Sequence, residues 1–117
     1  YDLRFPELAL TLRAQGARIL TAPAAFTYTT GQMHWQLLLQ ARAMDTQCDV
    51  LGAAQQGWHG EKRQTWGHTG ATNSRGQLLQ MIQDEGAGLI TIEFNAKEQD
   101  QIRASMPLMQ HRRLISF

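Results

Sequence analysis

Tyr1-Asp2-Leu3-Arg4-Phe5-Pro6-Glu7-Leu8 is the stretch around which the remaining sequence can be organised. Proline fits the first turn of a helix, where its missing N–H costs nothing, so Pro6 marks a helix start and Gly16 its end. The residues from Tyr1 to Phe5 then form a tight turn into that helix, and a strand is expected ahead of them. A sharp strand–turn–helix elbow presents a nucleophile, and the backbone N–H just after it can stabilise an oxyanion.

Working outward, residues 6–15 read as a helix with Leu8 and Leu12 spaced to share a face. Residues 17–22, with Ile19 and Leu20 between Gly16 and Pro23, read as a short buried strand, and residues 23–31 as a loop. The strongest helix covers residues 31–46. His34, Leu37, Leu38, Ala41 and Met44 form one stripe on it, and Trp35, Leu39 and Ala43 a neighbouring one. That apolar arc is wider than a single surface helix needs, which predicts a second partner surface, most simply another copy of the chain.

Residues 49–55 read as a buried strand. Residues 56–66 are polar and glycine-rich with two tryptophans, Trp58 and Trp66, and read as a functional surface loop. Residues 67–73 and 77–82 predict strands around the turn Asn73-Ser74-Arg75-Gly76. Residues 88–94 alternate Leu89, Thr91 and Glu93 against Ile90, Ile92 and Phe94, and predict a further strand. Asn95 caps a last helix with Glu98 as its reciprocal partner, and Pro107 ends that helix near Met106. The tail to Phe117 is basic and irregular. Strands interleaved with helices give an α/β layer architecture.

With 117 residues the chain fits one domain or a piece of one. A net charge of +1, from 11 basic and 10 acidic residues, leaves no electrostatic footprint for nucleic acid. No apolar run approaches the ~18 residues of a membrane helix, and there is no basic-then-apolar leader. A single cysteine forms no internal disulfide, which is compatible with a reducing cytoplasm. No two of the 4 histidines lie within one helical turn of each other, and there is no second cysteine, so zinc spacing is absent. The expectation is a chain with no metal and no cofactor.

The opening stretch resembles the segment that follows the catalytic cysteine in the nitrilase (carbon–nitrogen hydrolase) superfamily, Cys-Tyr-Asp-x-Arg-Phe-Pro-Glu. The likeness continues in order through Pro23-Ala24-Ala25-Phe26-Thr27, Thr30-Gly31, His34-Trp35, Ala41-Arg42-Ala43 and Gln47-Cys48. It runs on through Ala53-Ala54-Gln55, Gly57, His59, Lys62-Arg63, Gly67-His68, Met106-Pro107 and His111-Arg112-Arg113. The run Gly57-x-His59-x-x-Lys62-Arg63 is more similar to the deaminated-glutathione amidase branch than to the ω-amidase branch. The resemblance implies a four-layer αββα sandwich, of which residues 1–117 are the C-terminal portion starting just after the nucleophile. The family's catalytic glutamate, lysine and cysteine then lie outside this chain. It also implies hydrolysis of the carbon–nitrogen bond of a small carboxylate-bearing amide through a cysteine acyl-enzyme, with deaminated glutathione as the leading substrate. An ω-amidase or N-carbamoyl hydrolase is the alternative within the class. The implied partners are the N-terminal portion of the same domain, the amide substrate, and further copies in a homodimer or higher homo-oligomer. The implied setting is cytoplasmic.

Amide hydrolysis by this route needs a thiolate, a base and donors for the tetrahedral oxyanion. Of these the chain supplies the backbone N–H of Tyr1, which is otherwise an ordinary turn amide. Arg4 is the first substrate-binding candidate, because a guanidinium grips a carboxylate through two parallel hydrogen bonds. A structural ion pair with Asp2 or Glu7 is the competing reading, and the matching arginine of the resembling amidases lies at their pocket. Phe26 is either an apolar pocket wall or core packing. Thr30 either bonds substrate or caps a helix beginning at Gly31.

Cys48 is expected to be an inert buried thiol away from cationic groups. His34 is expected in the core, and His59 and His68 as satisfied structural histidines beside the 56–66 loop. Lys62 and Arg63 offer positive charge at the pocket rim, or are simply exposed, and His111-Arg112-Arg113 reads as a tail docking across subunits. The sequence departs from the family pattern in two places: the turn Asn73-Ser74-Arg75-Gly76, where Pro and Trp are common in place of Ser74 and Arg75, and Asp49, where an aromatic residue is commoner. The reading from another class is a non-catalytic fragment whose wide helix stripe serves only subunit association.

Overall fold

In a computed structural model, residues 1–114 are described. A 3₁₀ turn at Asp2–Arg4 leads into α1 (Pro6–Ala14), with Pro6 in the first helical turn, where it removes no helical hydrogen bond. β1 (Ile19–Thr21) follows, then α2 (Tyr28–Thr46) and β2 (Asp49–Gly52). β3 (Gln56–His59) and β4 (Arg63–Trp66) come next, then β5 (Gly70–Thr72) and β6 (Leu78–Met81). α3 (Ala96–Ser105) and the single turn α4 (Leu108–His111) complete the described elements.

The main sheet has the order β1-β2-β5-β6, with β1 and β2 parallel and the other neighbours antiparallel. β1 therefore stands at an edge. The parallel pair is joined through α2, as a parallel crossover requires. Val50 and Gly52 point to the face that α2 covers. Gly52 is needed there, because a Cβ would lie 2.6 Å from Cζ2 of Trp35 and 2.8 Å from Cδ2 of Leu39. α2 buries Gly31, Trp35, Leu39, Arg42, Ala43 and Thr46. The stripe that lies inward is thus the one carrying Trp35, Leu39 and Ala43. On the other stripe Leu37 is 66% and Met44 52% exposed.

Several sequence expectations change, among them the loop expected at residues 23–31, the end of which is the first turn of α2. Residues 56–66 are not a loop but a hairpin, in which Gln56 faces Trp66 and His59 faces Arg63. Its polar, glycine-rich composition hides the strands because their outer face is solvated. Residues 88–94 form no strand despite their alternation. The segment makes no ladder with the edge strand β6; it faces Leu51, Gly52, Ala53, Gly70 and Ala71 across an open cavity of about 450 Å³ and is tied to β6 by Gln80 Nε2 donating to the Thr91 carbonyl at 2.9 Å. Leu8 and Leu12 share a face, but one left open, whereas Ala9 and Leu10 are buried. The tail contains α4 rather than being wholly irregular, and its last residues, 115–117, lie outside the described residues. The Asn95 cap is present: its side chain accepts the Glu98 N–H at 2.9 Å. The Glu98 carboxylate turns instead toward Arg75, 3.8 Å away.

The two departures from the family pattern meet in space. The Ser74 hydroxyl donates to Asp49 Oδ1 at 2.6 Å, and Ser74 Oγ accepts from Gln99 Nε2 at 2.7 Å. Gln99 also bridges to Arg18, donating to its carbonyl at 2.8 Å and accepting from its Nε at 2.7 Å. Asp49, Ser74 and Gln99 are all buried, so this network pins α3 and the β5–β6 turn to β2. A buried polar group without its partner costs roughly 1–3 kcal/mol. In a urea-denaturation cycle of D49A, S74A and the double variant, each single change is expected to cost about 1–3 kcal/mol. The double change should cost measurably less than their sum. Additive costs would mean that the two residues do not act as a pair.

Candidate active site

The amino-terminal turn is held from two sides. Within it, Arg4 N–H donates to the Tyr1 carbonyl at 3.0 Å and Phe5 N–H to the Asp2 carbonyl at 3.1 Å. From α2, the buried Arg42 donates its Nε to the Leu3 carbonyl at 2.8 Å. Its charge is met by Asp45, one turn further along the helix. A charged side chain on the buried stripe is tolerable because both functions of its guanidinium are used. Its place beside Ala43 and one turn after Leu39 was the available signal that Arg42 faces inward.

Arg4 sits half-buried between this turn and α2. Its Nη2 lies 3.2 Å from Nδ1 of His34. Its Cζ lies 5.8 Å from the Tyr1 ring centroid and 5.6 Å from that of Phe26, within cation–π range of both. No ion pair joins it to Asp2 or Glu7; among the described residues the salt bridges belong to Arg18, Arg42 and Arg75. The competing sequence reading of Arg4 therefore fails. His34 is half-buried, and nothing in the sequence linked it to a residue 30 positions away.

Phe26 packs against the core and also faces an open groove. Its ring packs 5.2 Å from that of Trp35, and it lines an open groove with Tyr1, Leu3, Ala22, Pro23 and Ala24. Leu8, Leu12 and Leu20 continue the same wall toward the β1 edge. The groove holds about 100 Å³, well short of the roughly 300–1,000 Å³ of a ligand pocket. Thr30 is not a helix cap, because α2 begins at Tyr28 and Thr30 falls within its first turn. Neither Thr30 nor Arg4 is among the residues lining the groove. Tyr1 is 80% exposed and leads directly into the turn.

Cys48 is fully buried and lies outside the groove, but its surroundings differ from expectation. Arg103 Nη2 approaches its sulfur to 3.4 Å, and the thiol lies 3.3 Å from the Ala17 carbonyl. Burial first, and the neighbouring Arg13 charge second, lower the Arg103 pKa from its ordinary value, while Cys48 acts in the opposite sense. His59 and His68 are hydrogen-bonded as expected. His59 Nε2 is 2.8 Å from Thr65 Oγ1, and His68 Nδ1 is 2.8 Å from the Trp66 carbonyl with its ring stacked on Trp66 at 3.8 Å. Lys62 and Arg63 are exposed on the β3–β4 hairpin.

These features define an α/β layered protein with a polar site at the turn feeding its first helix. The chain belongs to the carbon–nitrogen hydrolase family, whose model matches residues 1–104. It is 47% identical to the deaminated glutathione amidase of Yersinia enterocolitica, over 99% of this chain and 40% of that protein. Saccharomyces cerevisiae Nit3, of the nitrilase superfamily, superposes with a TM-score of 0.88 at 32% identity, over 97% of this chain and 42% of that one. A Nesterenkonia amidase with an active-site cysteine superposes with a TM-score of 0.61 at 28% identity, over 70% of this chain and 30% of that one. The chain is a portion of the nitrilase fold and spans less than half the length of these relatives.

If Arg42 holds the turn, R42A should leave the Leu3 carbonyl without its donor and cost about 1–3 kcal/mol. Hydrogen exchange at the Arg4 and Phe5 amides should accelerate more than exchange at the core amides of α2. Equal acceleration throughout would show that Arg42 serves global stability only.

Proposed function

We propose that the chain is the C-terminal portion of an amidase that cleaves the carbon–nitrogen bond of a small amide bearing a carboxylate, most specifically deaminated glutathione. The reading rests on the similarity to deaminated glutathione amidases together with one observation, a half-buried Arg4 guanidinium with no acidic partner among the described residues. A fixed cation left unneutralised beside an apolar wall suits an anionic substrate group.

In this account a cysteine immediately ahead of Tyr1 is the nucleophile, served by a glutamate and a lysine further upstream. Its thiolate attacks the amide carbonyl and forms a carbon–sulfur bond. The Tyr1 N–H donates to the oxyanion that develops there. The carbon–nitrogen bond then breaks, the nitrogen takes a proton and leaves as the free amine, cysteinylglycine in the case of deaminated glutathione, and a thioester remains. Water attacks the thioester, releasing the carboxylic acid and restoring the thiol. Arg4 binds the distal carboxylate, Phe26 shapes the apolar wall, and the Thr30 hydroxyl bonds substrate at the outer end.

The upstream portion of the domain covers the groove along Leu8, Leu12 and the free edge of β1, turning it into a closed pocket. The exposed Met33, Leu37 and Met44 of α2 meet a second copy in a homodimer or higher homo-oligomer. The setting is cytoplasmic; among the described residues no helix is long and apolar enough to cross a membrane.

Hydrolysis by the complete protein, followed as cysteinylglycine from deaminated glutathione and as ammonia from α-ketoglutaramate, should be faster with the first substrate, and the reverse order would favour the ω-amidase reading. In the same assay R4K should raise KM for the acidic amide about tenfold or more while the fold is retained, because lysine cannot supply the two parallel donors. Unchanged kinetics would remove Arg4 from substrate recognition.

A further inference from the structure

We propose that His34 is a positioning residue that sets the preference for acidic amides, by holding Arg4 in place without neutralising it. The proposal rests on the reading of Arg4 as the carboxylate receptor. A guanidinium carries only donors, so the 3.2 Å contact from Arg4 Nη2 to His34 Nδ1 requires the imidazole nitrogen to accept. The ring is then neutral, with its proton on Nε2. An aspartate or glutamate in the same place would fix Arg4 equally well, but it would cancel the charge and compete with the substrate. A neutral acceptor satisfies one donor and leaves the full positive charge.

The surroundings carry the same logic. The rings of Tyr1 and Phe26 flank Arg4 and offer no anion, so its remaining donors are unclaimed among the described residues. His34 stands next to Trp35 in α2, and Trp35 is fully buried and donates its indole N–H to the His68 carbonyl at 2.7 Å. The backbone that carries His34 is therefore anchored in the core. Recognition through two parallel bonds tolerates only about 10–20° of misorientation, so loss of this anchor should be felt in substrate selection.

The test compares H34L and H34N in the complete protein. Leucine keeps a helix-favouring apolar side chain and lacks the acceptor, whereas asparagine can place its carbonyl oxygen near the position of Nδ1. With H34L, the ratio of kcat/KM for an acidic amide to that for a neutral amide of similar size should fall about tenfold, mainly through KM. H34N should restore most of that ratio. If H34L lowers both substrates equally, or if H34N is no better than H34L, His34 is merely structural and the proposal is wrong. Imidazole ¹⁵N shifts of the wild-type protein give a readout that does not depend on folded variants. Nδ1 should appear unprotonated and Nε2 protonated, and the opposite tautomer overturns the proposal. Loss of selectivity in R4K with none in H34L would reject His34 alone. Kinetics unaffected by R4K would reject the reading of Arg4 beneath it.

Discussion

The insertion of Trp35 into the space above Gly52 is the constraint on which the remaining structure depends. A Cβ at residue 52 would meet the indole at 2.6 Å, so the glycine is what lets α2 approach the sheet this closely. Phe26 packs against the same indole, whose N–H donates to the His68 carbonyl, so the contact is apolar on its faces and polar only at its tip. With α2 seated there, Leu39 and Ala43 follow into the core at one-turn intervals. The same seating brings Arg42 to Leu3 and His34 to Arg4, so one helix fixes both the layer packing and the amino-terminal turn.

That arrangement explains how a charged residue can be rigid yet electrically available. Arg42 and Arg4 lie close in the fold but have opposite fates. Arg42 is buried, spends its donors on a backbone carbonyl and the Asp45 carboxylate, and serves the turn. Arg4 is half-buried, spends one donor on a neutral ring, and faces aromatic surface on two sides. The distinction lies in the partners and not in the residue type. It separates a structural guanidinium from one suited to an incoming anion.

Much of this was legible from pattern alone. Pro6 and Gly16 bracketed α1, Ile19 and Leu20 marked β1, and the apolar spacing after Thr30 marked α2. Asn95 with Glu98 marked the start of α3, because each signal acts locally. What failed was what depends on distant partners. The alternation of residues 88–94 looked like a strand but the segment pairs with neither edge of the main sheet, and the β3–β4 hairpin lacked the apolar alternation of a half-buried pair. The wide apolar arc of α2 was legible as two stripes, yet the side facing the sheet is decided by the fit of Trp35 over Gly52, which no periodicity encodes. Around the site, Arg4 and Phe26 followed from motif and chemistry. The His34–Arg4 contact and the Asp49–Ser74 pair join residues 30 and 25 positions apart, and a single sequence offers no signal for either.

Covalent trapping bears most directly on the central account. The complete protein would be quenched during turnover of an acidic amide and its peptides mapped by mass spectrometry. The account predicts an acyl adduct on a cysteine immediately ahead of Tyr1, with Cys48 unmodified in its buried place. Turnover with the adduct on Cys48, or on no cysteine at all, would contradict it.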